Sequence, residues 1–159
     1  MSDLLVKLYE LPEIEPCIEQ LRRQGTAVRT AMAYEKSRVV AWVRDAFGDG
    51  WASECDVAFC NRPVSCFIAT ANGSIVGFAC YDCTCRDYFG PAGVAASVRG
   101  NGIGKALLLA CLGAMRTLGY AYAIIGGTSA ANAGFYEGVV GATPIEGSSP
   151  GIYRDRLKG

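Results

Sequence analysis

The pattern of apolar and polar positions predicts strands and helices in alternation, joined by short connections. Residues 26–32 read as a first core strand, and residues 34–47 as a helix with Val39, Val43, Ala46 and Phe47 on one face. Gly48 and Gly50 stop that helix; a second, short one covers residues 51–59 until Asn61-Arg62-Pro63 breaks it. A hairpin follows, with strands over 66–71 and 75–83 joined at Asn72-Gly73, the dipeptide favoured in two-residue type I′ turns. Residues 88–95 continue as a fourth strand. Over 102–118, Ile103, Leu107, Ala110, Cys111, Ala114 and Leu118 recur at helical spacing. Leu108, Leu109, Leu112 and Met115 widen that stripe, so most of the helix must be covered by a sheet. Gly119 ends it, with Arg116 near its negative end. A buried strand over 120–125, a short helix over 130–139 and closing strands over 143–145 and 152–157 complete the series. Ahead of them, residues 4–9 read as an edge strand, and Ile14, Cys17, Ile18 and Leu21 face one way on a helix ending at Gly25.

The connection between the fourth strand and the long helix is Arg99-Gly100-Asn101-Gly102-Ile103-Gly104-Lys105. Glycines there let the chain turn tightly and bring several N–H groups near an anion, and the helix N-terminus adds its partial positive charge. The run reads as a diphosphate cradle. It is not a Walker A loop, because Ala106 follows Lys105 and Arg99 stands where the upstream glycine belongs. Gly100, Gly102 and Gly104 are also too closely spaced for the dinucleotide fingerprint Gly-x-Gly-x-x-Gly.

With 159 residues, 51% apolar content and no compositional break or repeat, the chain is long enough for one domain with a sizeable core. Fifteen basic residues balance fifteen acidic ones, so no global field draws nucleic acid or anionic lipid, and the expected partner is a small molecule or peptide. No stretch approaches the roughly 18 apolar residues of a spanning helix, so the expectation is no membrane and a cytoplasmic location. Eight cysteines stand against no histidine. Cys80, Cys83 and Cys85, after Cys55, Cys60 and Cys66, make a thiolate zinc site conceivable, but paired CxxC spacing is missing. The adopted reading is reduced cysteines filling the core, no metal, with Cys83 and Cys85 on one strand face.

Arg-x-x-Gly-x-Gly, opening a helix after a Val-Ala-rich strand, resembles the coenzyme A loop of the GNAT superfamily of acyl-CoA N-acyltransferases. The resemblance covers about residues 26–157. Val28-Arg29-Thr30-Ala31 with Glu35 is similar to the family's opening strand and helix start, and Phe135-Tyr136-Glu137 before Gly141-Ala142 to its late helix and sixth strand. It implies an α/β fold of α+β type over residues 26–159, a central mixed sheet with splayed fourth and fifth strands and flanking helices. Residues 1–25 would then be an N-terminal extension packed on that core, the alternatives being a homodimer contact or a wall of the acceptor site.

The resemblance also implies a co-substrate, acetyl-CoA. Arg99, Gly100, Asn101, Gly102, Ile103, Gly104 and Lys105 would hold its diphosphate. Its pantetheine arm would enter the splay along Ala92, Gly93 and Val94, where the Val94 N–H would polarise the thioester carbonyl. Asn132 is a further coenzyme contact, though it precedes Tyr136 by four residues where the family's asparagine precedes its tyrosine by seven. Tyr136 matches the tyrosine that faces the coenzyme sulfur, and a phenol of pKa about 10 can protonate a departing thiolate. The implied reaction is acetyl transfer to a primary amine of a small molecule or peptide, by direct attack in a ternary complex. Without histidine, the base candidates are Glu54, Asp82 and Asp87. Tyr34, Trp51, Glu54, Asp56, Tyr88 and Tyr153 belong to segments flanking the acceptor cleft, an acidic and aromatic set suited to a cationic amine. The alternative is a non-catalytic acyl-CoA-binding sensor.

Overall fold

The computed structural model describes residues 1–159. The strands are β1 (Ser2–Lys7), β2 (Thr26–Thr30), β3 (Cys66–Ala71), β4 (Ser74–Tyr81), β5 (Tyr88–Val94), β6 (Tyr122–Thr128) and β7 (Thr143–Pro144). The helices are α1 (Glu15–Arg23), α2 (Lys36–Phe47), α3 (Asp49–Ala58), α4 (Ile103–Thr117) and α5 (Ala130–Val140). One mixed sheet runs in the order β2-β3-β4-β5-β6-β1-β7. Every neighbouring pair is antiparallel except β5 and β6, which α4 joins as a crossover.

Strand alternation sorts the core into two layers. Ala69, Ala79 and Tyr81 face the layer built on α4, where Leu107, Leu108, Leu112 and Met115 are almost wholly buried. Cys66, Ile68, Phe78 and Cys80 face the other layer, against Val39, Val43, Ala52 and Cys55 of α2 and α3. The wide apolar stripe of α4 is thus covered by the sheet on one side and by Leu21 of α1 and Leu8 on the other. Asn72 and Gly73 both take positive φ (51° and 75°), as a type I′ hairpin turn demands. Glu35 ends a 3-10 turn over Ala33–Glu35 by accepting the Met32 N–H at 2.8 Å, so α2 starts at Lys36 rather than at 34.

Three expected elements are corrected. The first strand is not an edge: β1 lies between β6 and the two-residue β7, with Leu4 and Val6 buried. No strand covers 152–157; a 3-10 turn, Gly151–Tyr153, stands there, and with β7 holding that end of the sheet Ile152 and Leu157 stay exposed. β4 ends at Tyr81 because Asp82 turns to φ +55°, which leaves Cys83 and Cys85 in the β4–β5 connection instead of on a strand face. No helix is long and apolar enough to cross a membrane.

Phe78 is fully buried against the rings of Trp42, Phe47 and Trp51, at centroid distances of 6.2, 5.6 and 6.2 Å. Phe78→Ala should therefore cost about 3–5 kcal/mol in urea unfolding; a loss under about 0.5 kcal/mol, typical of surface positions, would contradict this packing. Arg29 donates to both oxygens of Glu35, at 2.8 and 2.6 Å, and with the Met32 N–H holds that carboxyl down at about 2. A lowered carboxyl stabilises the fold above the usual value of 4.5 and ceases to do so as pH falls through about 2. Glu35→Gln should accordingly be less stable than wild type at neutral pH, with the gap closing toward pH 2 in a denaturation series.

Candidate active site at the strand splay

β5 and β6 pair only at Tyr88–Ile124 and Phe89–Ile125. Past Phe89, β5 takes one more residue than β4: Tyr81 faces Phe89 while Ala79 faces Ala92. The extra residue falls at Gly90-Pro91, where Gly90 has φ +118°, and such a bulge bends the strand out of its ladder. A cavity of about 500 Å³ opens where the strands part, between Gly90, Pro91 and Ala92 on one side and Ile125, Gly126, Gly127 and Thr128 on the other. On β5 the Ala95 N–H donates to Val76 of β4 at 2.8 Å. Strand N–H groups alternate, so those of Ala92 and Val94 face the splay, where β6 no longer pairs with them. Gly93 must lack a Cβ, which would run into the Phe47 ring.

The turn expected to bind an anion follows at once. None of the main-chain N–H groups of Gly100, Asn101, Gly102, Ile103, Gly104 or Lys105 donates to a protein acceptor; the first engaged N–H is that of Ala106, to Gly102 at 3.1 Å. A helix start accounts for the last four. Gly100 and Gly102, at φ +84° and +86°, turn the chain so that the run extends further back. Arg99 Nε donates to the Val94 carbonyl at 3.1 Å and Asn101 Nδ2 to that of Val98 at 3.0 Å, pinning the turn by side chains. Ile103 sends its side chain into the core and offers only its N–H. Such an array, with the α4 dipole and the exposed Lys105 behind it, suits an anion.

Turn and cavity connect through α5. A Cβ on Gly104 would lie 3.9 Å from the Phe135 ring, whose centroid is 5.2 Å from that of Tyr136. Tyr136 lines the cavity, and burial pushes its phenol up, which favours the neutral form. Asn132 lines it too, one turn earlier. Ser129 occupies the N-cap position of α5 without a side-chain cap bond.

The far end of the cavity is made by Trp51, Glu54, Thr84, Tyr88, Tyr153 and Arg156. Thr84 Oγ1 donates to Glu54 Oε1. Gly126 has no side chain because Tyr153 and Tyr88 lie on it: a Cβ there would come within 2.7 Å of the Tyr153 hydroxyl and 2.9 Å of the Tyr88 ring. Burial first, and the Asp3 charge second, push the Tyr88 phenol up to about 12. Sequence reasoning missed Asp3, which is nearly buried, accepts the Gly127 N–H at 2.8 Å and so holds the free end of β6. One acidic residue at the start of a strand carries no signal of that role. Arg156, placed over the Tyr153 ring at 5.5 Å, was missed for a similar reason.

Other expected residues lie elsewhere. Tyr34 is 81% exposed and outside the cavity wall, and Asp56 pairs with Lys36 at 2.9 Å. Asp82 is engaged by the Asp87 N–H at 2.8 Å and the Tyr120 hydroxyl at 3.0 Å, and neither Asp82 nor Asp87 reaches the cavity. Of the three base candidates only Glu54 lines it. All eight cysteines are unbridged; Cys60 is exposed, whereas Cys55, Cys66 and Cys80 converge in the core.

A family model described as an acetyltransferase (GNAT) domain matches residues 62–139. No curated protein matches the chain. Among solved structures, a GCN5-related glucosamine N-acetyltransferase region of a fungal multi-domain β-N-acetylglucosaminidase superposes with a TM-score of 0.72 at 14% identity, over 91% of this chain and 19% of that one. A GCN5-related N-acetyltransferase from Sphaerobacter thermophilus gives 0.67 at 19% identity, over 91% of this chain and 48% of that one. A GNAT family acetyltransferase from Brucella melitensis, solved in complex with acetyl-CoA, gives 0.54 at 16% identity, over 69% and 80%. The chain thus spans about a fifth of the first relative's length and about half of the second's. Residues 62–139 thus match an acetyltransferase (GNAT) domain directly, and the chain on both sides of them continues the fold seen in such acetyltransferases.

Proposed function

We propose that this chain is an N-acetyltransferase that moves an acetyl group from acetyl-CoA to a primary amine of a small molecule or peptide, by direct attack while both are bound. The observation that carries the reading is the uninterrupted run of unengaged N–H groups from Gly100 to Lys105, opening beside a splay whose strand edge is also unpaired. These groups fit a diphosphate, and the edge at Ala92 and Val94 fits an amide-bearing arm laid alongside it. Asn132 lines the same cavity. The coenzyme supplies an acyl group activated as a thioester.

The chain's own residues then have separable tasks. The Val94 N–H is aimed into the splay and is placed to polarise a carbonyl there, an effect worth about 10²–10³ in turnover for a single donor. Tyr136, kept neutral by burial, holds the proton that a departing sulfur needs. Glu54, with Trp51, Tyr88 and Tyr153 around it, draws a cationic amine and accepts its proton.

Calorimetry and release of free thiol test the reading separately. Gly104 has ordinary helical geometry, and a Cβ there meets only Val94 and Phe135 at 3.8 and 3.9 Å, so Gly104→Leu should fold normally. It should nevertheless lose acetyl-CoA affinity by about a hundredfold, since it masks two or so charge-assisted bonds. Unchanged affinity would remove the cradle. Tyr136→Phe should keep coenzyme affinity and lower kcat by about 10²–10⁴. In wild type, thiol release should depend on added amine, and on the alkaline side kcat should fall only above the ordinary phenol value of about 10, as Tyr136 ionises. Tight coenzyme binding with no amine-dependent release across a broad panel would favour the sensor instead.

A further inference from the structure

Cys55, Cys66 and Cys80 play no part in the proposed reaction, yet they bring three sulfurs to one point. One comes from α3, one from β3 and one from β4, and all three belong to one core layer of 12 buried residues. Their sulfurs all lie within 4.8 Å of one another, and each residue is fully buried. Strand register explains the two sheet cysteines. Cys66 and Cys80 stand directly opposite each other. The Tyr81 N–H donates to Ser65 at 3.0 Å and the Cys66 carbonyl accepts from Ala31 of the β2 side at 2.8 Å, so this pair exchanges no bonds with itself. Opposed residues of that kind approach to about 4.5 Å between Cα atoms, with side chains side by side on one face. Cys55 meets them from the helix packed on that face.

We propose that Cys55, Cys66 and Cys80 form a binding site for a thiophilic divalent metal ion of the zinc class, built into the layer that joins α3 to the sheet. Soft sulfur donors with no carboxylate or imidazole in the set select such an ion over magnesium or calcium. Zinc at about 2.3 Å from each sulfur sets them about 3.8 Å apart. The observed triangle would therefore close by about 1 Å at most, within reach of side-chain rotation. Each coordinating thiol gives up its proton to solvent, so three sulfurs and the ion together carry one negative charge.

Cys83 completes the geometry. It lies in the β4–β5 connection, packs against the same apolar layer and is only half-buried. Its thiol donates to the Tyr81 carbonyl at 3.2 Å and sits 3.7 Å from the Ser65 hydroxyl, so it is held by the residues next to Cys80 and Cys66. It is the sulfur placed to act as fourth ligand and to mark the side from which the ion enters. The consequence is mechanical: Glu54, the carboxylate on the cavity wall, directly precedes Cys55 on α3, so a bound ion would fix the helix turn that carries it. The site itself stands apart from the acetyl-transfer reading.

The test uses the full reduced chain without oxygen, titrated with cobalt(II) and then with zinc. We expect one cobalt per chain, with sulfur-to-metal charge-transfer absorption that zinc bleaches, and a higher Tm with zinc bound. Cys55→Ala, Cys66→Ala and Cys80→Ala should each abolish the absorption; Cys83→Ser should weaken binding, and Cys60→Ala should leave it unchanged. X-ray absorption on the wild-type zinc protein keeps the proposal decidable should a core variant fail to fold. Three or four sulfurs around the metal support the site. Fewer than three, no charge-transfer band in wild type, or a band that survives Cys55→Ala would overturn it, leaving the three thiols as packing groups.

Discussion

A main-chain N–H that leaves a β-ladder must find another acceptor, and β5 is built around that requirement. Its ladder to β6 stops after two residue pairs, at Phe89. The following residues keep their bonds to β4 on one side and present an unsatisfied edge on the other. Everything read as function depends on this half-detached strand. The cavity exists because the strands part, Ala92 and Val94 have N–H groups to offer because β6 has turned away, and the glycine turn begins five residues after β5 ends.

Packing keeps the strand detached. Gly90 and Gly93 let the chain bulge and press against Phe47, while Asp3 reaches from β1 to the Gly127 N–H and holds the end of β6 in place. The α4 helix supplies the other constraint. Its apolar circumference commits it to the core, Ile103 anchors its first turn there, and its N-terminal amides are left facing outward. A buried helix so anchored can present a rigid array of donors, ready for the fixed charge of a bound anion. The same logic runs through α5, where Phe135 faces the turn and Tyr136 faces the cavity.

What could be read from the sequence divides along physical lines. The α4 stripe, the Asn72-Gly73 hairpin and the glycine turn were legible because each writes a local need, burial or positive φ, into residue choice. That Tyr136 would line a cavity was suggested only by its motif. The place of β1 was not legible, because an alternating Leu4 and Val6 do not say which strands will flank them. Ile152 and Leu157 suggested a strand, but the sheet offers them no free edge. That Glu54 lines the cavity while Asp82, Asp87 and Tyr34 do not follows from which surfaces meet, and no local pattern writes that. The cysteines show the same limit: neighbours in sequence, Cys83 and Cys85, share no strand face, while Cys55, Cys66 and Cys80 are assembled by register and helix docking.

The most direct measurement is residue-resolved amide hydrogen exchange by NMR, with and without acetyl-CoA. In the free protein the N–H groups of Gly100 to Lys105, and those of Ala92 and Val94, should exchange as unbonded groups; saturating acetyl-CoA should slow them together. Slow exchange at these positions in the free protein, or no change there while coenzyme is demonstrably bound, would contradict the account.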